Sequence, residues 1–117
     1  MGLSTHVLDT MHGKPAEGME VVIYKIQDSV EIWIQDFILN IDGRHPNGLI
    51  YDNNQLIQGT YRLVFNVASY FKHQGITLPE PPFLNQVTID FGVADSSAHY
   101  HVPLLVSPWS YSTYRGS

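Results

Sequence analysis

The 117 residues carry eleven Asp and Glu against six Lys and Arg, a formal charge of −5, and no cysteine. That size suits one domain, expected over residues 1–117 and able to bury roughly 65% of its unfolded surface. No disulfide, thiol nucleophile or cysteine-based zinc site can exist, the scattered charges offer nucleic acid no basic patch, and no apolar run approaches the ~20 residues of a membrane span.

The opening residues, Met1–His6, lack the basic and apolar regions of a signal peptide, and the C-terminus is not a peroxisomal address, so a cytoplasmic location is expected. Leu3, Thr5 and Val7 alternate with Ser4, His6 and Leu8 in a first strand. Gly13 and Pro15 mark a turn. Met19–Gln27 and Val30–Leu39 read as the next two strands, followed by an Asp-Gly turn over Asn40–Arg44. His45–Asn54 reads as a loop with a short strand at most. Gly59–Val67 is a strand, and Ala68–Gln74, closed by Gly75, is expected as the only helix. Thr77–Phe83, with Pro79, Pro81 and Pro82, must cross irregularly. Asn85–Val93, His99–Ser107 and Ser110–Arg115 complete the strands. Seven to eight short strands with one short helix predict an all-β sandwich.

Strand parity separates core from site. Tyr100, Val102, Leu104 and Val106 share one apolar face, while His99, His101, Pro103 and Leu105 share the other. If the first and the last two strands join in one sheet, its outer face collects His6, His101, Ser112 and Tyr114 beside Leu8 and Leu105. A monomer rarely leaves such a mixed surface open to water, so a cleft or subunit interface is expected there. Parity does not place Arg44, which on its own reads as a surface charge.

Other chemistries find less support. No Gly-x-Ser-x-Gly elbow or phosphate-cradling glycine loop is present. His6 alone reads equally as an exposed strand residue, and His99 and His101 as a solvated face. His99 and His101 also have the spacing of a metal pair on a strand, with His6 a conceivable third ligand. His12, His45 and His73 fall in loops or the helix and are expected to be solvated.

Three segments then resemble one family. HVLD at His6–Asp9 with Gly13, Pro15 and Ala16 resembles the N-terminal signature of the transthyretin family. YHVPLLVSPWSYS over Tyr100–Ser112 resembles its C-terminal signature. The terminal YRGS, Tyr114–Ser117, resembles the mark of the family's members that hydrolyse 5-hydroxyisourate, which the hormone carriers lack.

The resemblance implies a transthyretin-like sandwich and opening of the six-membered ring of 5-hydroxyisourate by water, in urate (purine) degradation. It implies a homotetramer with sites where two dimers meet, and no cofactor or metal. Carried over position by position, it implies catalytic roles for His6, Arg44, His101 and Tyr114, with His6, Arg44 and Tyr114 also binding substrate. The histidines would jointly activate water and transfer protons, His6 being the favoured base. Arg44 would bind substrate and stabilise anionic charge. Alternatives are a carrier of small aromatic ligands without catalysis, and a metal-dependent hydrolase using His6, His99 and His101.

Overall fold

Alternating apolar segments fold here into strands because period-two patterning gives each one face to bury. The computed structural model describes residues 2–116 and holds nine strands and one helix among them. In chain order these are β1 (Gly2–Asp9), β2 (Lys14–Pro15), β3 (Glu20–Gln27), β4 (Val30–Ile38), β5 (Tyr51–Asp52), β6 (Gly59–Phe65), α1 (Val67–His73), β7 (Val87–Val93), β8 (Tyr100–Val106) and β9 (Tyr111–Thr113). The helix sits within one residue of its expected place. β2 and β5 are two residues long, too short to show any period. Lys14–Pro15, expected as part of a turn, instead pairs with Leu8 and Asp9 at the edge of β1, a position where proline's missing N–H costs nothing.

One sheet has the order β2-β1-β8-β9, with β5 also on β1; the other has the order β4-β3-β6-β7. β1 and β8 run parallel, and all other pairs are antiparallel. Leu3 and Val7 of β1 and Tyr100, Val102, Leu104 and Val106 of β8 turn inward. They meet Val21, Ile23, Tyr61, Leu63 and Phe65 from the second sheet. Tyr70 and Phe71 of α1 join the same core. Among the described residues no helix is long and apolar enough to cross a membrane.

Two core-facing positions of β1 are polar and satisfied. Thr5 donates its hydroxyl to the Val102 carbonyl at 2.7 Å. Asp9 is fully buried and accepts the His12 N–H (2.9 Å), the His12 ring Nδ1–H (2.6 Å) and the Tyr70 hydroxyl (2.8 Å). Burial pushes the Asp9 carboxyl up, but these donors outweigh it and hold it below the usual carboxylate range. His12 is exposed, as expected, while its ring is held by Asp9. His45 departs further from expectation: it is buried, with Nε2 against Gln35 Oε1 at 2.9 Å and Nδ1 accepting the Asn47 N–H at 3.0 Å. An Asn-Gly-rich stretch reads as surface loop, and the sequence holds no sign that Phe37 supplies its ring with a packing partner. His73, in the last turn of α1, is exposed as expected and places its ring Nδ1 2.8 Å from the Ser69 carbonyl.

Candidate active site

Three short pieces cover the outer edge of β1. β5 pairs with Gly2 and Leu3, Arg44 bridges to His6, and β2 pairs with Leu8 and Asp9. The Asn40–Arg44 turn fixes the middle piece. The Asn40 side-chain oxygen accepts the N–H groups of Asp42 and Arg44, each at 3.0 Å, and the Gly43 carbonyl accepts the Val7 N–H at 2.9 Å. Gly43 has φ +73°, and a Cβ there would lie 2.5 Å from the Val7 carbonyl oxygen. Only glycine lets the turn dock this closely on β1. Docking is what sets Arg44 opposite His6, a long-range consequence of a local turn.

Residues paired across neighbouring strands point to the same side of a sheet. One row on the outer face therefore runs Arg44, His6, Pro103. The β8–β9 ladder ends at Leu104↔Thr113 and resumes only at the His101↔Gly116 bridge, with Tyr114 in the stretch between them. A second row is Ser4, His101, Gly116, and a third, on the other side of the first, is Leu8, Leu105, Ser112. Successive rows lie about 7 Å apart and adjacent strands about 4.8 Å apart. His6, Arg44 and His101 thus share one face within a few strand spacings, whereas Tyr114, expected with them, lies beside the inward-facing Tyr100 and Val102.

Electrostatics couples the first three. Burial lowers the His6 pKa below its ordinary value and the Arg44 charge lowers it further, outweighing the upward pull of Asp42. Burial likewise lowers that of His101, followed by Arg44, His6 and His99. Both imidazoles are neutral at pH 7 beside a fixed guanidinium, the state a base or a neutral donor requires.

Three further residues belong to this face, of which only His99 carried a motif, as half of the His-x-His pair. Ser4, 7% exposed, places Oγ 2.8 Å from His101 Nδ1 and 3.4 Å from His99 Nε2. His99 is half-buried, its Nδ1 accepting the Gly2 N–H at 3.1 Å and its ring stacked on His101 at 6.5 Å. Gly116 lies against the His101 ring: a Cβ there would meet Cδ2 at 2.6 Å. Parity with His6 could have identified Ser4; nothing in the sequence gives the Gly116 contact.

Arg115 turns to the opposite side, its guanidinium 4.2 Å from the Tyr100 ring centroid. Tyr114 is 60% exposed. It also lines a cavity of about 340 Å³ along β7, β8 and β9, with Phe91, Tyr100 and Arg115. The last residue of the terminal signature, Ser117, lies outside the described residues. Among the described residues no three His, Asp or Glu side chains converge as metal ligands, so His6, His99 and His101 do not form such a set.

Comparison with known proteins identifies the family. A "5-hydroxyisourate hydrolase" of Deinococcus radiodurans is 50% identical over 116 residues, covering 99% of this chain and 96% of that protein. The solved Klebsiella pneumoniae 5-hydroxyisourate hydrolase superposes with a TM-score of 0.79 at 30% identity, covering 100% of both chains. An (S)-allantoin synthase superposes with a TM-score of 0.93 at 39% identity, with 99% of this chain spanning 43% of that longer one. The sequence model of the HIUase/Transthyretin family matches residues 3–116, and with half of all positions shared with a full-length relative, the chain belongs to that family.

Proposed function

We propose that this protein hydrolyses 5-hydroxyisourate to 2-oxo-4-hydroxy-4-carboxy-5-ureidoimidazoline in urate degradation. The observation that carries the reading is the shared outer face of His6, Arg44 and His101: two neutral imidazoles beside one guanidinium. The names of the full-length relatives support the same substrate. Ring opening is a cyclic amide hydrolysis. Water adds to a ring carbonyl carbon, the carbonyl oxygen becomes an oxyanion, the ring C–N bond breaks, and the nitrogen takes a proton.

A base must remove the water proton, and His6 and His101 are the available neutral groups. Arg44 gives forked donation to a flat, oxygen-rich ring and opposes the growing negative charge. Tyr114, an exposed residue of the terminal signature, would position the substrate with its hydroxyl or ring edge. The residues on this face supply base, donor and cation without a cofactor.

The whole reaction resides in one domain over residues 1–117. The face is open in one chain, and Leu8 and Leu105 on it are only half-buried. A homotetramer, with the outer faces of two dimers opposed, would close each site. A cytoplasmic location is part of the same proposal.

The test is an ultraviolet assay in which urate oxidase generates 5-hydroxyisourate in place. Decay of its absorbance should accelerate far beyond the spontaneous rate and survive exhaustive chelation. Decay no faster than with heat-killed protein would end the hydrolase reading and favour a carrier. Loss of activity on chelation would instead restore a metal.

A further inference from the structure

The groups behind His101 form a chain of hydrogen bonds with only one possible direction. It begins at the Gly2 backbone N–H, which can only donate and which points at His99 Nδ1 at 3.1 Å. A neutral His99 that accepts at Nδ1 must carry its proton on Nε2, and Nε2 faces Ser4 Oγ at 3.4 Å. Ser4 then receives from His99. Its own hydroxyl proton has one acceptor among the described residues, His101 Nδ1 at 2.8 Å. Ser4 is 7% exposed, so a hydroxyl proton left without a partner would be costly. Run in reverse, the chain fails at its end, because a backbone amide cannot accept.

The geometry points to a division of labour: Ser4 and His99 hold His101 as the neutral tautomer with its proton on Nε2, making it a hydrogen-bond donor to the developing oxyanion and leaving His6 as the single proton shuttle. This rests on the hydrolase reading above and deepens it. A neutral imidazole with Nδ1 already accepting cannot serve as base at that nitrogen, and at Nε2 it has a proton to offer, not a lone pair. Donating a hydrogen bond without giving up the proton suits a group whose neutral form is favoured. The charged and titratable groups around His101 are Arg44, His6 and His99, and all three disfavour a second proton on it.

His6 then performs both transfers. It takes the proton of the attacking water as the C–O bond forms. It returns that proton to the ring nitrogen as the C–N bond breaks, so His6 ends neutral and His101 keeps its own proton throughout. Ser4 and His99 touch no substrate; they are positioning residues.

Long-range proton–nitrogen correlation spectra of ¹⁵N-labelled wild-type protein test this directly. At about pH 8, above the free imidazole pKa of about 6.5, His99 and His101 should each show a protonated Nε2 and a bare Nδ1. A protonated Nδ1 on His101 would overturn the proposal, and this spectrum needs no substrate and no turnover. Ser4→Ala should turn His101 into a tautomer mixture and lower kcat about 10- to 100-fold, with KM changed by no more than a few-fold. Ser4→Thr, which keeps the hydroxyl, should restore both the spectrum and kcat. An unchanged tautomer and unchanged kcat in Ser4→Ala would also overturn it. A wild-type protein with the expected tautomers but no hydrolysis of 5-hydroxyisourate would sink the substrate and leave the tautomer assignment standing.

Discussion

Gly116→Ala is the smallest change that should disable the site while leaving the fold intact. Gly116 is bridged to His101, donating its N–H to the His101 carbonyl at 2.8 Å. Its backbone is not among the glycines with positive φ, so alanine is compatible with the chain path. The cost comes from the added methyl, 2.6 Å from His101 Cδ2, 3.2 Å from Cγ and 3.3 Å from Cβ. Carbon atoms rest at about 3.5–4.0 Å, so the ring must move by about 1 Å. Ser4 lies on the other side of the ring from Gly116, with Oγ already 2.8 Å from His101 Nδ1, so the ring cannot simply back away and must tilt out of its present rotamer, spoiling that bond. Misplacing a catalytic group by about 1 Å costs on the order of 10²-fold. Reduced entropy of the unfolded chain would offset part of any native-state strain, by about 0.4–1 kcal/mol. The expected result is a kcat about 100-fold lower with a melting temperature within a few degrees of wild type. Turnover within three-fold of wild type, roughly 0.6 kcal/mol in barrier, would show that the ring does not need its present position.

Arg44→Lys keeps the charge but loses the planar fork, and steady-state turnover should fall by roughly 10²–10³-fold; near-normal activity would reduce Arg44 to a distant charge. His101→Ala should lose about 10²–10³-fold, the scale of one oxyanion donor, while circular dichroism stays native because the side chain faces away from the core. His6 and His101 both sit below their ordinary pKa, so kcat/KM should hold at neutral pH and fall on an acid limb below about 6.5. His45 is also lowered, by burial, so between about 6.5 and its folded value the unfolded chain binds more protons. Stability must therefore drop as pH falls through that window, and thermal melts should show less of this drop in His45→Gln.

Parity made most of the outer face legible. A two-residue period assigns each side chain of β1 and β8 to one side, so His6, His101 and Leu105 could be placed once β1 and β8 were taken as neighbours. The core followed from the same alternation, including Tyr100, Val102, Leu104 and Val106. Arg44 was out of reach because its place depends on the Gly43 carbonyl docking on Val7, a contact between distant segments. His45 was misjudged for the same reason: Gln35 and Phe37 supply its partners, ten and eight residues back. Ser4 and Gly116 escaped because neither has chemistry of its own to notice. Ser4 matters by where it directs one proton, and Gly116 by the atom it lacks.

The third row of the face separates assembly from chemistry. Leu8 and Leu105 lie one row from His6 and Pro103 and two rows from Ser4 and His101, so polar groups and apolar contact surface are offset along the strands. A second copy laid against this face could grip the leucines and leave the histidine rows enclosed. Leu105→Arg should therefore break the proposed tetramer without removing any residue of the proposed chemistry. A buried, unpaired arginine at such a contact costs several kcal/mol, enough to dissociate ordinary interfaces. Light scattering should move from about four times 13.2 kDa toward smaller species. Activity should fall with it, because water exclusion and charge stabilisation both depend on the closed site. The His101 tautomer spectrum should stay unchanged, since Gly2, Ser4, His99 and His101 all belong to one chain. A dissociated Leu105→Arg protein with full turnover would show that one chain makes a complete site, and the face would then need another explanation for its half-buried leucines.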